Sequence, residues 1–231
     1  MKDEFTRTAL LLGQEALSKL ASSHVLVFGV GGVGGHAVDA LARAGIGHIT
    51  VVDNDKVSPS NINRQMIALH STIGRSKVEV MKERILDINP EAEVIAKELF
   101  FLPETADEFD FGKYDYVLDC VDTVSAKIAI IAKAKKADVP VISAMGAGNK
   151  LDPSKFRISD ISKTEYCPLA KVMRRELRTR GINHVDVCWS PEVPVKPSCT
   201  DGKPVPGSVS FVPSVCGLIM AGKVITDLAG M

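Results

Sequence analysis

The chain has 231 residues, with 28 Lys and Arg residues against 28 Asp and Glu residues, so its formal net charge is zero. This balance excludes a globally basic nucleic-acid-binding protein but permits a local basic patch. Apolar residues make up 45% of the sequence and charged residues 24%, which argues against wholesale disorder, and the odd number of five cysteines excludes a simple intramolecular disulfide framework.

The N-terminal segment predicts a helix over residues 7–20, with Gly13 as a weak point inside it. The residues before this helix include acidic side chains and form no long apolar run, so they do not predict a secretory signal. We therefore expect a protein of the cytoplasm, where cysteines stay reduced.

Apolar strands and helical segments alternate over the first 146 residues. Strands are predicted at 25–29, 49–53, 116–120 and 139–144, and helices at 33–44, 76–88 and 125–137. This alternation predicts an α/β fold, with a Rossmann-like, mostly parallel sheet covered by helices on both faces. We interpret residues 1–231 as a single domain, with a nucleotide-binding part over 1–146 and a C-terminal extension over 147–231 for substrate and dimer contacts.

The alternation ends after residue 146. A turn-rich stretch there leads into one more strand, residues 168–181 predict a basic helix, and residues 190–207 predict a mobile loop rich in proline. The last segment, 212–229, is strongly apolar, but a proline, a lysine and an aspartate interrupt it. It predicts a buried or subunit-interface helix and no membrane span.

A glycine-rich turn follows the first predicted strand. Gly29, Gly31 and Gly34 have the G-x-G-x-x-G spacing, in which residues without a Cβ let the backbone approach a phosphate, and the helix N-terminus behind them attracts anions. Asp53 ends the second strand, where an acid accepts hydrogen bonds from ribose hydroxyls. The pattern predicts a nucleotide site. The alternative is that the glycines serve only helix–strand packing and Asp53 caps a turn.

Polar and cationic residues follow Asp53, namely Asn61, Arg64 and Lys77. A triphosphate site needs such cations, because pyrophosphate gains negative charge as it leaves. The chain has no GxxxxGK[ST] motif to supply them. The alternative pairs Arg64 with Asp53 or Asp55 at the surface and leaves Lys77 as a solvated residue of a helix's first turn.

Two acids lie at the end of the strand predicted at 116–120. Asp122 follows the strand in a loop, at the carboxyl end where ligands of open α/β sheets bind, and is our candidate to hold a magnesium ion that bridges phosphates. Asp119 lies inside the apolar run and is either a second metal ligand or a satisfied structural acid.

Taken together, these segments resemble the ubiquitin-activating-like adenylyltransferase superfamily of HesA, MoeB and ThiF proteins. The resemblance rests on GVGGVG, DNDKVSPSNINRQ, the lysine of GRSKVE and LDCVDT, in matching order over residues 7–145. It implies that a carboxylate attacks the α-phosphate of ATP, with Arg7, Arg64 and Lys77 as catalytic residues. The implied nucleotide-binding residues are Gly29, Gly31, Gly32, Gly34, Asp53, Asp55, Asn61, Arg64, Gln65, Lys77 and Asp122, of which Asp122 would hold Mg²⁺.

Arg7 enters through the resemblance alone. It matches an arginine that reaches across such dimers to the ATP of the partner, and its alternative is an exposed arginine at a helix start.

The later segments, MGAGNK to RTRGI and PGSVSFVPSVCGLIMAG, look like the tRNA threonylcarbamoyladenosine dehydratase branch of that superfamily. The branch implies a homodimer acting on tRNA that carries threonylcarbamoyladenosine at position 37. The threonyl carboxylate would be adenylated, and the modified base would then cyclise with loss of AMP. The branch leaves open whether a sulfur-relay protein takes part and whether a monovalent cation binds near GAGNK.

A basic stripe in the segment 168–181 is consistent with a tRNA partner. Lys171, Arg174, Arg175 and Arg178 have the i, i+3, i+4, i+7 spacing of one helical face. Such a face is suited to the phosphates of an RNA backbone. The alternative is a solvated surface helix without a ligand.

The cysteines contain no C-x-x-C pair; they are Cys120, Cys167, Cys188, Cys199 and Cys216. Two such pairs hold zinc in many carrier-protein adenylyltransferases, so their absence predicts no zinc and favours the tRNA branch. Ring closure within the substrate needs no enzyme thioester, so we predict no essential nucleophilic cysteine.

Three other functions compete with this interpretation. One is adenylation of the C-terminal glycine of a ubiquitin-like sulfur-carrier protein. Another is an NAD-dependent oxidoreductase, which only the glycine motif and Asp53 favour. The third is a nucleotide-sensing protein that binds ATP without turnover.

Overall fold

The computed structural model describes residues 3–196 and 206–231. Across those residues, seven strands form one sheet in the order β3-β2-β1-β4-β5-β7-β6, parallel throughout except that β6 runs antiparallel to β7. The strands are β1 (His24–Phe28), β2 (His48–Val52), β3 (Glu93–Lys97), β4 (Tyr116–Asp119), β5 (Val141–Ala144), β6 (Arg157–Asp160) and β7 (Asp186–Trp189).

Helices cover both faces of this sheet. They are α1 (Thr6–Leu12), α2 (Gln14–Ser22), α3 (Gly34–Arg43), α4 (Lys77–Ile88), α5 (Val124–Lys136), α6 (Pro168–Arg178) and α7 (Phe211–Ala229). Alternate residues of β1 show the two layers: Val25 and Val27 pack in the core under α3, α4 and α7, and Leu26 and Phe28 in the core under α5 and α6. The predicted Rossmann-like fold is confirmed.

The N-terminal helix is broken where the sequence predicted one continuous helix over 7–20. Gly13 adopts φ +84°, a conformation that L-residues with a side chain rarely take, and it separates α1 from α2. The prediction was therefore wrong about continuity, because the glycine permits a turn at this point.

Two strands were not predicted. β3 is an edge strand whose residues alternate between exposed and half-buried, so it shows no apolar run. β7 is only four residues long and begins with an aspartate. The basic helix also ends earlier than predicted, at Arg178, because Gly181 (φ +74°) already belongs to the turn that follows.

The C-terminal helix α7 packs against α3. The approach is close: a Cβ on Gly217 would lie 2.2 Å from the carbonyl oxygen of Val33. By length and composition alone, α7 is the one helix in the described parts of the chain that is able to span a bilayer. Its packing on α3 agrees with the prediction of a buried helix.

The predicted mobile loop 190–207 is described in part. Residues 190–196 and 206–207 form neither helix nor strand. Residues 197–205, among them Cys199, lie outside the described residues.

The strand order places a topological switch point at β1. The chain runs outward from β1 to β2 and β3, then returns to β4 on the other side of β1. Ligands of open α/β sheets bind at the carboxyl ends of the strands flanking such a point. We therefore expect the ligand site among the residues that follow β1, β2 and β4.

Candidate nucleotide site

The glycine turn after β1 combines tight packing with open space. Gly29 has φ +88°, and a Cβ there would lie 2.8 Å from the carbonyl oxygen of Cys120. A Cβ on Gly34 would lie 1.8 Å from the oxygen of Gly29. These two positions tolerate only glycine. Gly31 differs, since the nearest atom to its missing Cβ is the Nε2 of Gln65, 3.9 Å away, so its backbone is open to a ligand.

Asp53 directly follows β2 and ties two loops together. Its Oδ2 accepts the backbone N–H of Val30 at 2.7 Å, and its Oδ1 accepts the N–H of Asp55 at 2.8 Å. An ionised carboxylate has about four acceptor sites, so Asp53 retains capacity for the hydroxyls of a ribose. It acts both as a structural link and as a candidate ligand group.

Lys77 is the first residue of α4 and only 4% exposed. Its Nζ donates to Asp55 Oδ2 at 2.6 Å and lies 4.0 Å from Asp53 Oδ1, while its backbone N–H donates to the Asp55 carbonyl at 3.0 Å. The structure thus brings Lys77 to the carboxyl end of β2 and does not leave it solvated. Its charge is held at the cleft by an acid that is itself exposed.

The turn after Asp55 contributes two further predicted residues, Asn61 and Arg64, which differ in their contacts. Asn61 is buried and its Oδ1 accepts the Ser58 N–H at 3.1 Å, so it stabilises the turn. Arg64 is half-buried, and its Nη1 donates to the Ser60 carbonyl at 2.9 Å. It does not take the alternative pairing with Asp53 or Asp55.

Arg64 and Gln65 both face the glycine turn. The Cγ of Arg64 lies 3.4 Å from the missing Cβ of Gly32, which Pro213 of α7 approaches at 3.3 Å. Gln65 is 7% exposed, and its Oε1 has no hydrogen-bond partner among the described residues. The first turn of α7 therefore packs over the glycine turn at Gly32.

The end of β4 separates the roles of the two acids. Asp119 is fully buried and pairs with the equally buried Lys127, with Nζ 2.9 Å from Oδ2. Ser143 also donates to Asp119 Oδ2, at 2.6 Å. Asp119 is therefore the satisfied structural acid, whereas Asp122 is exposed in the loop. Sequence reasoning missed Lys127, whose only signal was a lysine set among apolar residues of a helix.

Asp122 could hold a magnesium ion only together with the phosphates of a bound nucleotide. The described residues contain no group of three or more His, Cys, Asp and Glu side chains placed to hold a metal. Mg²⁺ commonly binds one or two carboxylates and takes its other ligands from phosphates and water. A lone exposed carboxylate beside a phosphate cleft matches that pattern and does not match a resident metal centre.

The basic face of α6 is only partly free. Arg174 is half-buried, and its Nη1 donates to the carbonyl and hydroxyl oxygens of Thr164 at 2.7 and 2.6 Å, so it holds the preceding turn. Arg175 pairs with Glu176, and hydrogen bonds from the arginines beside Glu176 lower the pKa of that carboxyl. Lys171, Arg175 and Arg178 are exposed and form the remaining cationic surface.

Arg7 lies apart from this cleft within the chain. It is exposed on α1, next to Leu10 and Leu11, which are 81% and 84% exposed. Adjacent exposed leucines on a helix are typical of a surface that contacts a partner.

The described cysteines are free thiols, at Cys120, Cys167, Cys188 and Cys216. Burial raises the pKa of the Cys120 thiol, and the hydrogen bond with Cys188 together with burial raises that of Cys216. A protonated thiol is a poor nucleophile. The prediction that no cysteine is essential stays a prediction.

Comparison with known proteins identifies relatives over the whole chain. The ThiF family matches residues 5–231. The tRNA threonylcarbamoyladenosine dehydratase of Bacillus subtilis is 48% identical, with 99% of this chain and 95% of that protein covered. The crystal structure of Escherichia coli TcdA, a tRNA N6-threonylcarbamoyladenosine dehydratase in complex with ATP, matches with a TM-score of 0.91 at 35% identity, covering 98% of this chain and 94% of that one. A complex of the same enzyme with AMP matches equally well.

Proposed function

The chain belongs to the ThiF family, and we propose that it is an ATP-dependent tRNA threonylcarbamoyladenosine dehydratase. The observation that carries the proposal is the extent of the match. The match to the B. subtilis dehydratase covers 99% of this chain. It therefore includes both the nucleotide-binding part and the C-terminal extension. A relative named as an adenylyltransferase and sulfurtransferase, from Vanderwaltozyma polyspora, matches less, at 41% identity over 60% of this chain.

ATP would lie across the switch point with its phosphates at the glycine turn. The open backbone of Gly31 allows close approach of the phosphates, and the N-terminus of α3 behind it favours negative charge. Asp53 has acceptor capacity left for the ribose hydroxyls. Gln65 offers its side-chain amide to the same cleft.

The first step makes an acyl-adenylate. A threonyl carboxylate oxygen attacks the α-phosphorus, an O–P bond forms, and the bond from that phosphorus to the bridging oxygen breaks as pyrophosphate leaves. Negative charge grows on the leaving group, so fixed cations at the cleft lower the barrier. Arg64 and Lys77 supply such cations, and Lys77 is held in place by Asp55.

The second step closes the ring. The carbamoyl nitrogen or oxygen of the same modified base attacks the activated carbonyl, AMP leaves with its oxygen, and a proton is released. The overall result is loss of water from the base. Both reacting groups belong to the substrate, so the enzyme is required only to hold them together and to exclude water.

Mg²⁺ would be held by Asp122 together with the phosphates, where it neutralises phosphate charge. The exposure of Asp122 in the loop after β4 supports this role.

We further propose that the protein is a cytoplasmic homodimer. The exposed Leu10 and Leu11 beside Arg7 support a dimer in which Arg7 reaches the ATP of the partner. The cations of α6 would contact the tRNA backbone. A sulfur-relay protein and a monovalent cation remain expectations from the resemblance to the family.

The experiment that tests the function is mass analysis of adenosine 37. Threonylcarbamoyladenosine-containing tRNA is incubated with the protein, ATP and Mg²⁺, and we expect the modified base to lose the mass of one water as AMP accumulates. Omission of ATP is the control. AMP release with a ubiquitin-like carrier protein but not with tRNA would instead support the carrier-activating alternative.

A further inference from the structure

A buried lysine lies beneath the loop that carries Asp122. Lys127 of α5 is fully buried, and besides pairing with Asp119 its Nζ donates to the carbonyl oxygen of Val121 at 3.1 Å. Neither Lys127 nor Asp119 contacts the reacting groups in the mechanism above. A buried ion pair is often no more stabilising than apolar residues of the same size, so stability alone is a weak reason for this lysine.

The pair holds a short stretch of backbone from both sides. Asp119 Oδ1 accepts the N–H of Val121 at 3.3 Å, while Lys127 donates to the C=O of the same residue. Ser143 of β5 anchors Asp119 through Oδ2. The N–H and the C=O of Val121 are therefore each hydrogen-bonded to a fully buried charged side chain, Asp119 and Lys127 respectively.

This backbone packs directly against the glycine turn at Gly29. The carbonyl oxygen of Cys120 and the nitrogen of Val121 lie 2.8 and 3.2 Å from the position that a Cβ on Gly29 would occupy. The next residue along the chain is Asp122. A shift of the Val121 peptide would therefore disturb the glycine turn on one side and the magnesium-binding carboxylate on the other.

We propose that Lys127 is a positioning residue for ATP, acting through its hydrogen bond to the Val121 carbonyl. This bond keeps the loop against the glycine turn and keeps Asp122 at the phosphates. The inference rests on the proposed use of ATP and adds to it a residue with no direct contact to the nucleotide.

The test compares two double variants that both remove the buried charges. Asp119→Asn is combined with Lys127→Gln, which keeps an N–H donor for the Val121 carbonyl, or with Lys127→Met, which removes it. Affinity for Mg·ATP is measured by calorimetry without tRNA, beside thermal unfolding. We expect similar melting temperatures, near wild-type affinity for the Gln variant and about tenfold weaker binding for the Met variant. Lys133→Met, which removes an exposed ion pair of the same helix with Asp107, is the control and should leave affinity unchanged.

Equal affinity of the two double variants would overturn the proposal, because the donor would then be irrelevant. Failure of both to fold would also overturn it, since Lys127 would then serve the fold itself. If the wild type binds ATP but does not cyclise the tRNA base, the proposed function fails, and the comparison of affinities still decides the role of Lys127.

Discussion

Lys77 and Lys127 are both lysines removed from solvent, but their surroundings differ. The side chain of Lys77 is 5% exposed and that of its partner Asp55 is 59% exposed, so an anion is able to reach this pair from the solvent side. Lys127 and Asp119 are both fully buried. A lysine in the first turn of a helix opposes the helix dipole, and two nearby carboxylates compensate for this at Lys77. Lys77 is therefore accessible to a ligand, as the proposed function requires, whereas Lys127 bonds to Asp119 and to the Val121 backbone.

Lys77→Ala tests the charge at the cleft. We expect AMP formation with modified tRNA to fall by about 10²–10³-fold or more, because one fixed stabiliser of the leaving group is removed, while the fold is retained. AMP release is measured beside the circular dichroism spectrum. Lys56→Ala, an exposed lysine of the neighbouring loop, is the control. Unchanged turnover in Lys77→Ala would remove this residue from the mechanism.

Gly29→Ala tests the glycine turn. We expect a loss of stability of at least about 2 kcal/mol, because the positive φ is unfavourable for alanine and the new Cβ would meet the Cys120 carbonyl, together with loss of ATP binding. Gly181→Ala is the matched control, since Gly181 also has positive φ but no atom within 4 Å of its missing Cβ. It should cost only the backbone strain and leave ATP binding intact. Equal effects of the two substitutions would contradict the packing argument.

Helix α6 has one side that serves the fold and another that carries the exposed cations, which we propose contact the tRNA. Met173 and Leu177 are buried against the core, and Arg174 reaches back to Thr164, so part of the helix serves the fold. The exposed cations lie on the remaining surface. The predicted basic stripe therefore has three exposed cations instead of four, because Arg174 donates to Thr164 in the turn that precedes the helix.

Replacing Lys171, Arg175 and Arg178 together by alanine tests this surface. We expect weaker tRNA binding at unchanged ATP affinity, and a salt dependence of binding that is shallower by roughly 0.7–0.9 for each phosphate that the variant no longer neutralises. Filter binding at several salt concentrations measures it. Arg174→Ala is the contrast, and should lower the melting temperature while leaving the salt dependence as in the wild type. If the triple variant binds tRNA as tightly as the wild type, α6 is a solvated surface helix that does not bind tRNA.

At the scale of the whole molecule, the cleft is assembled from distant parts of the chain. The glycine turn follows β1, Asp53 follows β2, and Asp122 follows β4. The C-terminal extension completes it, since Pro213 packs against the position of Gly32 and Asn63 donates to the Ser208 carbonyl at 3.0 Å. ATP binding should therefore depend on α7, although α7 follows the predicted nucleotide-binding part by many residues.

Acid should destabilise the molecule through two histidines. Burial, with a smaller contribution from His48, lowers the pKa of His24, and burial lowers that of His36. The unfolded chain then binds more protons than the folded one, so stability falls as the pH drops from about 7 through the ordinary value of 6.5. Melting temperatures between pH 8 and pH 5 measure this. His24→Gln should flatten the dependence, whereas His70→Gln, at an exposed position, should not.

Sequence patterns predicted the central strands and helices because burial and periodicity are local properties. They missed β3 because an edge strand shows no apolar run, and they joined α1 to α2 because helical spacing continues across Gly13. For the candidate site, the motif spacing predicted the glycine turn and Asp53, and the need for cations at a triphosphate predicted Arg64 and Lys77. It did not reveal Lys127, which had no motif of its own.

The alternating architecture, the glycine turn and the family could be predicted from the amino-acid sequence, because each depends on residues close together in the chain or on an ordered set of motifs. Which charged side chains are paired within the protein became clear from the folded structure. Asp119 is satisfied by Ser143, 24 residues away, and Lys77 by Asp55, 22 residues away. Such pairings arise when strands and helices pack, so the physical reason is that burial and partner choice are set by contacts between distant segments.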